Sequence, residues 1–348
     1  MASIDIFNND IFSMSSLGVA INKAPYVPNL LGALGIFTEK PIRTTDVWIE
    51  ERHGRISLIP SGVRGTLPTA NVSPQAKRQA RSFKVPHFPY QKTILADSIQ
   101  NVRAFGSETE LQSVAAEVND RLAEMRQDHE VTDEYQRVSA LKGILLDSDG
   151  STTLYNYFTE FNVVQNTADF NWDNNFSDVT TSVIRQIAGA LGAQLYGQVV
   201  AICGNTYFDG ARNHAETKAA YAQSAYTNAN NGLFLLQSQL GPLFYSLASN
   251  GFYYNNIWYL NYRGAVGNVT FVPDTEAYYF PMGVPDLFED YLAPAPFMET
   301  VNTKGQRMYA KMERLPLDMG VKLHTQSNTL KILTRPAAVI KSTISNYP

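Results

Sequence analysis

Apolar positions recur every three or four residues at Leu111, Val114, Val118, Leu122 and Met125, and again at Val131, Tyr135, Val138, Leu141 and Leu145. No proline interrupts the run, and Gly143 stands near its end. The spacing predicts one long helix with a single apolar stripe, one face packed and the other wet. Its start is marked by Ser107-Glu108-Thr109-Glu110. In this capping box the Ser107 hydroxyl oxygen accepts the Glu110 amide, and the Glu110 side chain accepts the Ser107 amide. At 1.5 Å per residue, the stretch 107–142 would reach roughly 54 Å.

Before the helix the period changes. Thr45, Val47, Ile49, Ile56 and Leu58 lie on alternating positions across residues 43–60, with a break at Gly54. Residues 81–95 resume as strand, with Phe83, Val85, Phe88 and Tyr90 around Pro86 and Pro89. The intervening Ser61-Gly62, Gly65, Pro68 and Pro74 form a long tip. A tip of about 20 residues is too long for a tight turn, and the strands leave unpaired edges that need a partner. Residues 1–42 show no period. Ile6, Phe7, Ile11, Phe12, Leu17 and Ile21 are scattered among Pro25, Pro28 and Pro41, which reads as an irregular arm that buries against something else. The first residues lack the basic and apolar regions of a signal peptide, and no window approaches the ~18 apolar residues of a membrane span.

After the helix, Asp147-Ser148-Asp149-Gly150 is a turn. It is not a calcium loop, because Phe158 stands where a bidentate Glu is required. Residues 153–165 read as strand. From about 168 the texture becomes α/β. Asp178 is placed to cap a helix carrying Val179, Val183, Ile187 and Leu191 on one face. Tyr196 to Cys203 is continuously apolar and reads as a central strand. Short helices fit 205–213 and 214–226, strands fit 252–262 and 276–282, and Pro285 to Asp290 reads as an exposed acidic loop. Beyond Thr303 strands return: Met308, Ala310 and Met312 alternate with polar positions, followed by Val321, Leu323, Leu330 and Ile332. The fold class is α+β, with a helix-led domain left, a compact α/β domain inserted, and strands resuming.

Charge sharpens this picture. The chain has 348 residues and a net charge of −4, which gives no general attraction to nucleic acid. Nine basic residues from Arg43 to Lys92 face only Asp46, Glu50 and Glu51, a local net of +6. From Ser107 to Asp147 ten acids face four bases, a net of −6. The basic projection and the acidic helix are therefore candidates for docking between copies. The contact candidates are Trp48, Arg55, Arg64, Lys77, Arg78, Arg81, Phe83, Lys84 and Phe88 on the projection. On the helix they are Glu117, Asp120, Glu124 and Asp128. The 19 Tyr and 18 Phe suit contact patches as well as strands.

Chemistry motifs are missing. No phosphate-binding or dinucleotide-binding glycine loop occurs, and Gly32-Ala33-Leu34-Gly35 lies on the irregular arm. No G-x-S-x-G elbow occurs. The five histidines (His53, His87, His129, His214, His324) are scattered without metal spacing. Cys203, the one cysteine, follows Val199-Val200-Ala201-Ile202 and reads as a buried, inert thiol. No catalytic residue, cofactor or metal is expected, and the chain is not expected to be an enzyme.

The ordered set resembles the tailed-phage major capsid proteins, in the lambda-type (E-type) branch of the Hong Kong 97 capsid fold. The resemblance covers nearly the whole chain. It is carried by the order of arm, extended loop, long helix, inserted domain and returning strands. Phe271-Val272-Pro273-Asp274-Thr275 leading into Tyr278-Tyr279-Phe280-Pro281-Met282-Gly283 supports it, as does the closing stretch from Met308-Tyr309-Ala310-Lys311 through Leu323 to Arg335-Pro336. The resemblance implies an N-arm at 1–42, an E-loop at 43–92, a peripheral domain at 93–167 and 300–348 with its spine helix at about 107–145, and an axial domain at 168–299. It implies hexamers and pentamers of an icosahedral virion head, assembled in the host bacterial cytoplasm around double-stranded DNA that is contacted non-specifically, and no membrane. With only about 42 residues ahead of the loop, a separate scaffold protein is expected, together with a portal and a small cement or decoration protein. The alternatives are an encapsulin-like nanocompartment shell, an enzyme with its site in the inserted domain, and a tail or adaptor protein.

Overall fold

Alternation and apolar spacing become one six-stranded sheet and several smaller ones, two of which lie against a long helix. The computed structural model describes residues 30–52, 78–99, 114–192, 194–224, 251–266 and 269–348. The arm before Leu30, the loop tip with Arg55, Arg64 and Lys77, and the capping box at Ser107 lie outside the described residues.

The long helix runs Val114–Leu141, 28 residues, about 42 Å at 1.5 Å each. It stops short of Leu145 because Gly143 turns the chain at φ +82, where a Cβ would meet the Phe158 ring at 2.3 Å. Leu145 instead belongs to strand β5 (Ile144–Leu146), as labelled below. The expectation of one wet face along the whole helix fails for its second half. From His129 onward, all residues but Val131 and Thr132 are buried.

Eighteen strands are described: β1 (Thr38–Pro41), β2 (Asp46–Arg52), β3 (Arg78–Lys84), β4 (Phe88–Leu95), β5, β6 (Thr153–Asn156), β7 (Asn166–Asn171), β8 (Val199–Cys203), β9 (Gly251–Tyr254), β10 (Ile257–Asn261), β11 (Ala265–Val266), β12 (Val269–Thr270), β13 (Glu276–Pro281), β14 (Phe288–Leu292), β15 (Tyr309–Arg314), β16 (Gly320–Ser327), β17 (Thr329–Leu333) and β18 (Ile340–Ser345). The main sheet has the order β7-β18-β13-β8-β10-β9. Its middle strand β8 is buried at every position, as a continuous apolar run requires. The helix Phe176–Leu191 turns Val183, Ile187 and Leu191 inward, with Asn175 rather than Asp178 at its N-cap position. Helices Asn205–Asn213 and Ala215–Ser224 follow β8. The expected strand 252–262 is a hairpin of β9 and β10 whose turn, Asn255-Asn256, has positive φ at both residues. The stretch expected as strand at 153–165 holds a helical turn at Tyr157–Glu160.

Two three-stranded sheets complete the body. The order β15-β16-β4 packs on the first half of the long helix, where Val118, Leu122 and Met125 meet Ile94, Ala310, Val321 and Leu323. The order β1-β14-β17 lies by its second half. Two expectations are corrected here. The arm is not wholly irregular: Leu30–Leu34 is helical, and β1 runs parallel to β14. The supposed acidic loop 285–290 ends in β14, with Asp290 fully buried.

Burying those acids requires partners. The fully buried Lys331 ammonium lies 2.8 Å from Asp290 Oδ1 and also contacts Asp133 on the long helix. Arg137 donates to Asp133 at 2.6 Å, and Arg307 bridges Asp133, Asp290 and Glu39 of β1. Burial opposes ionisation of Asp133, but the converging charges of Lys331, Arg137 and Arg307 hold its carboxyl well below the usual carboxylate range.

Candidate assembly surface

Strands β2 and β3 form an antiparallel ribbon, with Asp46 opposite Lys84, Val47 opposite Phe83, Trp48 opposite Ser82 and Arg52 opposite Arg78. Alternation gives the ribbon two faces. Val47 and Phe83 point into the body, where the Phe83 ring meets Tyr155, Tyr157 and Phe161 at centroid distances of 5.3, 6.3 and 6.0 Å. Phe83 was expected between subunits; instead it is 0% exposed and anchors the ribbon's base within its own chain. Tyr155 secures the same base, its hydroxyl accepting from the Lys84 amide (2.8 Å) and donating to the Lys84 carbonyl (2.9 Å). The opposite face carries Trp48, 69% exposed, and the exposed Lys84. Arg81 lies half-buried with its guanidinium 5.1 Å from the Phe161 ring centroid. The result is a projection rigid at its root that presents an indole and a lysine outward.

The helix side is more neutral than the charge count implies. Glu130, Asp133 and Glu134 are buried inside the subunit. Of the four expected contact acids, Glu117 accepts from Arg121 at 2.8 Å, and Glu124 accepts from Lys92 and Arg121 at 3.0 Å each. Asp128 lies 3.8 Å from Lys92. Asp120 is exposed. Lys92 itself sits on β4, hydrogen-bonded across β16, and not on the ribbon. The hydrogen bond from Lys92, then that from Arg121, keeps the Glu124 carboxyl low. Four acids and two cations thus share the wet half-face, so the field offered to a neighbour is weaker than −6 but still negative.

Phe88 also lies on β4, half-buried, and lines a cavity of about 510 Å³ with His87, Pro89, Tyr90, Asp128, His129, Thr132, Asp147 and Ser148. His129 at its floor places Nε2 3.0 Å from Thr325 Oγ1, and burial lowers its pKa to about 4. Cys203 is buried in β8, where desolvation pushes its thiol well up. Among the described residues, no group of three or more His, Cys, Asp or Glu side chains is arranged to hold a metal ion, and no helix is long and apolar enough to cross a membrane. The Lys331–Asp133–Asp290 network escaped the sequence reading. Its signal was a lysine at a buried position between Leu330 and Ile332.

A ribbon, a long helix and an inserted sheet in this order define a shell-forming capsid subunit of the Hong Kong 97 type. A prophage protein of E. coli CFT073, assigned as a capsid protein, has a crystal structure that superposes with a TM-score of 0.54. It is 12% identical and covers 95% of this chain and 99% of that one. The family model for phage major capsid protein E matches residues 13–344, so the chain belongs to that family, a component of the virion head. The major capsid protein of Pseudomonas phage KPP10 is 28% identical over 333 residues, 90% of this chain and 93% of the relative. That of Salmonella phage Felix O1 is 24% identical over 353 residues, 94% and 95% of the two chains.

Proposed function

We propose that this chain builds the icosahedral head of a tailed phage from hexamers and pentamers, enclosing double-stranded DNA, and performs no catalysis. The expected arm, 1–42, and loop, 43–92, serve as contact segments, except that β1 (Thr38–Pro41) and β4 (from Phe88) belong to sheets of the body. Residues 93–167 with the first part of 300–348 form the peripheral part and 168–299 the axial part, whose main sheet the C-terminal strand β18 (Ile340–Ser345) also joins. A separate scaffold, a portal and a small decoration protein complete the assembly, and DNA is met without sequence reading. The outward Trp48 and Lys84 on a firmly rooted ribbon carry the reading, since a projecting indole fits a contact that only another copy supplies. The basic ribbon steers docking onto the acids of an adjacent helix, from the half-buried Glu117 to the exposed Asp128. Individual exposed pairs contribute only about 0.2–1 kcal/mol. Strength comes from apolar burial at Trp48 and from repetition around a closed shell.

Two variants test this. Trp48→Ala removes an exposed side chain, so the subunit's stability should shift by no more than about 0.5 kcal/mol. Arg78→Glu with Lys84→Glu reverses the ribbon's charge and leaves Arg81 on the Phe161 ring. With a co-expressed scaffold, both should yield folded subunits by circular dichroism and no closed shells by electron microscopy. Normal shells from both would remove ribbon docking from the mechanism.

A further inference from the structure

Glu134 is 2% exposed, and both of its carboxylate oxygens are used. Oε1 accepts the Leu31 amide at 2.7 Å and the Tyr262 hydroxyl at 3.2 Å. Oε2 accepts the Gly32 amide at 3.1 Å, with an Arg137 guanidinium nitrogen at 3.4 Å. Three parts of the chain meet there: the long helix that carries Glu134, the short helix Leu30–Leu34, and the end of the axial sheet. Tyr262 is firmly part of that sheet. Its amide donates to the Cys203 carbonyl at 2.9 Å, which continues the β8–β10 ladder, and its ring stacks on Phe271 at 6.0 Å. Burial pushes the Glu134 carboxyl up from its ordinary value, and the Leu31 amide, the Arg137 charge and the Gly32 amide act against that rise.

We infer that Glu134 is a positioning residue that couples the root of the N-terminal arm to the axial sheet. A shift of the sheet relative to the helix must either break the Tyr262 O–H···O bond or drag the carboxylate that holds Leu31 and Gly32. The placement of the helical turn Leu30–Leu34 is thereby tied to the position of the axial sheet. The bearing on shell assembly rests on the function proposed above; the coupling itself belongs to the single subunit.

The chemistry makes the test sharp. Gln at 134 keeps the shape but has one acceptor oxygen, and its NH2 would face an amide donor. Amide hydrogen exchange on the unassembled chain reads the outcome directly. In Glu134→Gln, exchange at Leu31 and Gly32 should rise about tenfold or more, the size expected for losing a hydrogen bond to a charged group. In Tyr262→Phe, the lost hydroxyl touches neither amide, yet exchange at both should rise roughly two- to fivefold if the sites are coupled. Exchange in β8 should stay unchanged in both variants. If Tyr262→Phe leaves Leu31 and Gly32 as protected as before, or raises β8 equally, the coupling is overturned, whether or not Glu134→Gln folds. Shell formation, scored separately by electron microscopy, bears on the proposed function and not on the exchange result.

Discussion

The two halves of the long helix solve different problems. From Val114 to Asp128 it is amphipathic, with Val118, Leu122 and Met125 on the β15-β16-β4 sheet, Asp120, Glu124 and Asp128 toward solvent, and Glu117 half-buried beside Arg121. From His129 to Leu141 it is buried nearly all round, and its charges face inward to Lys331, Arg307 and the amides of Leu31 and Gly32. The same residue types therefore carry opposite meanings. In the first half an acid is a solvated, weakly paired group available to a neighbour. In the second it is a structural group whose removal strands a partner in low dielectric. On the docking proposed above, the first half is left free to meet a neighbour because the second half already fixes the helix in the body.

The comparison breaks most directly at Lys331. Lys331→Met keeps much of the side-chain volume but leaves Asp133 and Asp290 facing each other without the ammonium between them. Removing one partner of a buried ion pair costs about 3–5 kcal/mol. Urea denaturation of the soluble subunit should show a loss of that size, or a chain that fails to fold. A loss below about 1 kcal/mol would mean that the buried charges matter no more than the exposed ones.

That network also marks the limit of what the chain pattern discloses. Periodicity sufficed for the helix Phe176–Leu191 and the strands β15 and β16, organised by local spacing, and an unbroken apolar run sufficed for β8, which is buried on both faces. It failed at β14, since Glu289 and Asp290 look solvent-facing unless Lys331, 41 residues further on, is known to meet Asp290. It failed at β1, whose Thr-Glu-Lys-Pro has no strand pattern of its own and pairs because β14 offers an edge. The Asn255-Asn256 turn did carry a signal, two asparagines suited to left-handed backbone, which the run of apolar residues around it masked. For the contact residues, alternation separates outward Trp48 and Lys84 from inward Val47 and Phe83. The inward set became legible only once Tyr155, Tyr157 and Phe161 were seen beneath it.

His129 stands at the boundary of the two halves and gives the comparison a pH axis. Burial lowers its pKa from the ordinary 6.5 to about 4; Asp128 and Asp133 favour the proton, and His324 disfavours it. Tyr90 packs edge-on against its ring at 6.1 Å, and Thr325 meets Nε2. The folded state binds fewer protons than the unfolded chain between these values, so stability is fully present above pH 6.5 and is lost as pH falls toward about 4. At about 1.4 kcal/mol per pKa unit the loss is at most of order 3 kcal/mol. Urea midpoints measured at pH 7.5, 6 and 5 should fall with acid, and His129→Gln should flatten the decline. A variant that declines as steeply as the parent would assign acid sensitivity to other groups.

The smallest expected effect lies in the wet half and separates folding from assembly. Lys92 bridges Glu124 at 3.0 Å and Asp128 at 3.8 Å, linking β4 to the helix across a surface open to water. Exposed pairs of this kind contribute about 0.2–1 kcal/mol, because solvent screens them and two long side chains must be ordered. Glu124→Ala should therefore change the urea midpoint only slightly, and 0.5 M salt should abolish even that difference. It also removes one of the few negative groups available to a neighbouring ribbon, so shells assembled from it should form more slowly, and the deficit should shrink in salt, where steering is screened for parent and variant alike. Glu124→Gln keeps the shape and removes only the charge. If it assembles like the parent while Glu124→Ala does not, the face acts through packing, and electrostatic steering by this half of the helix is excluded.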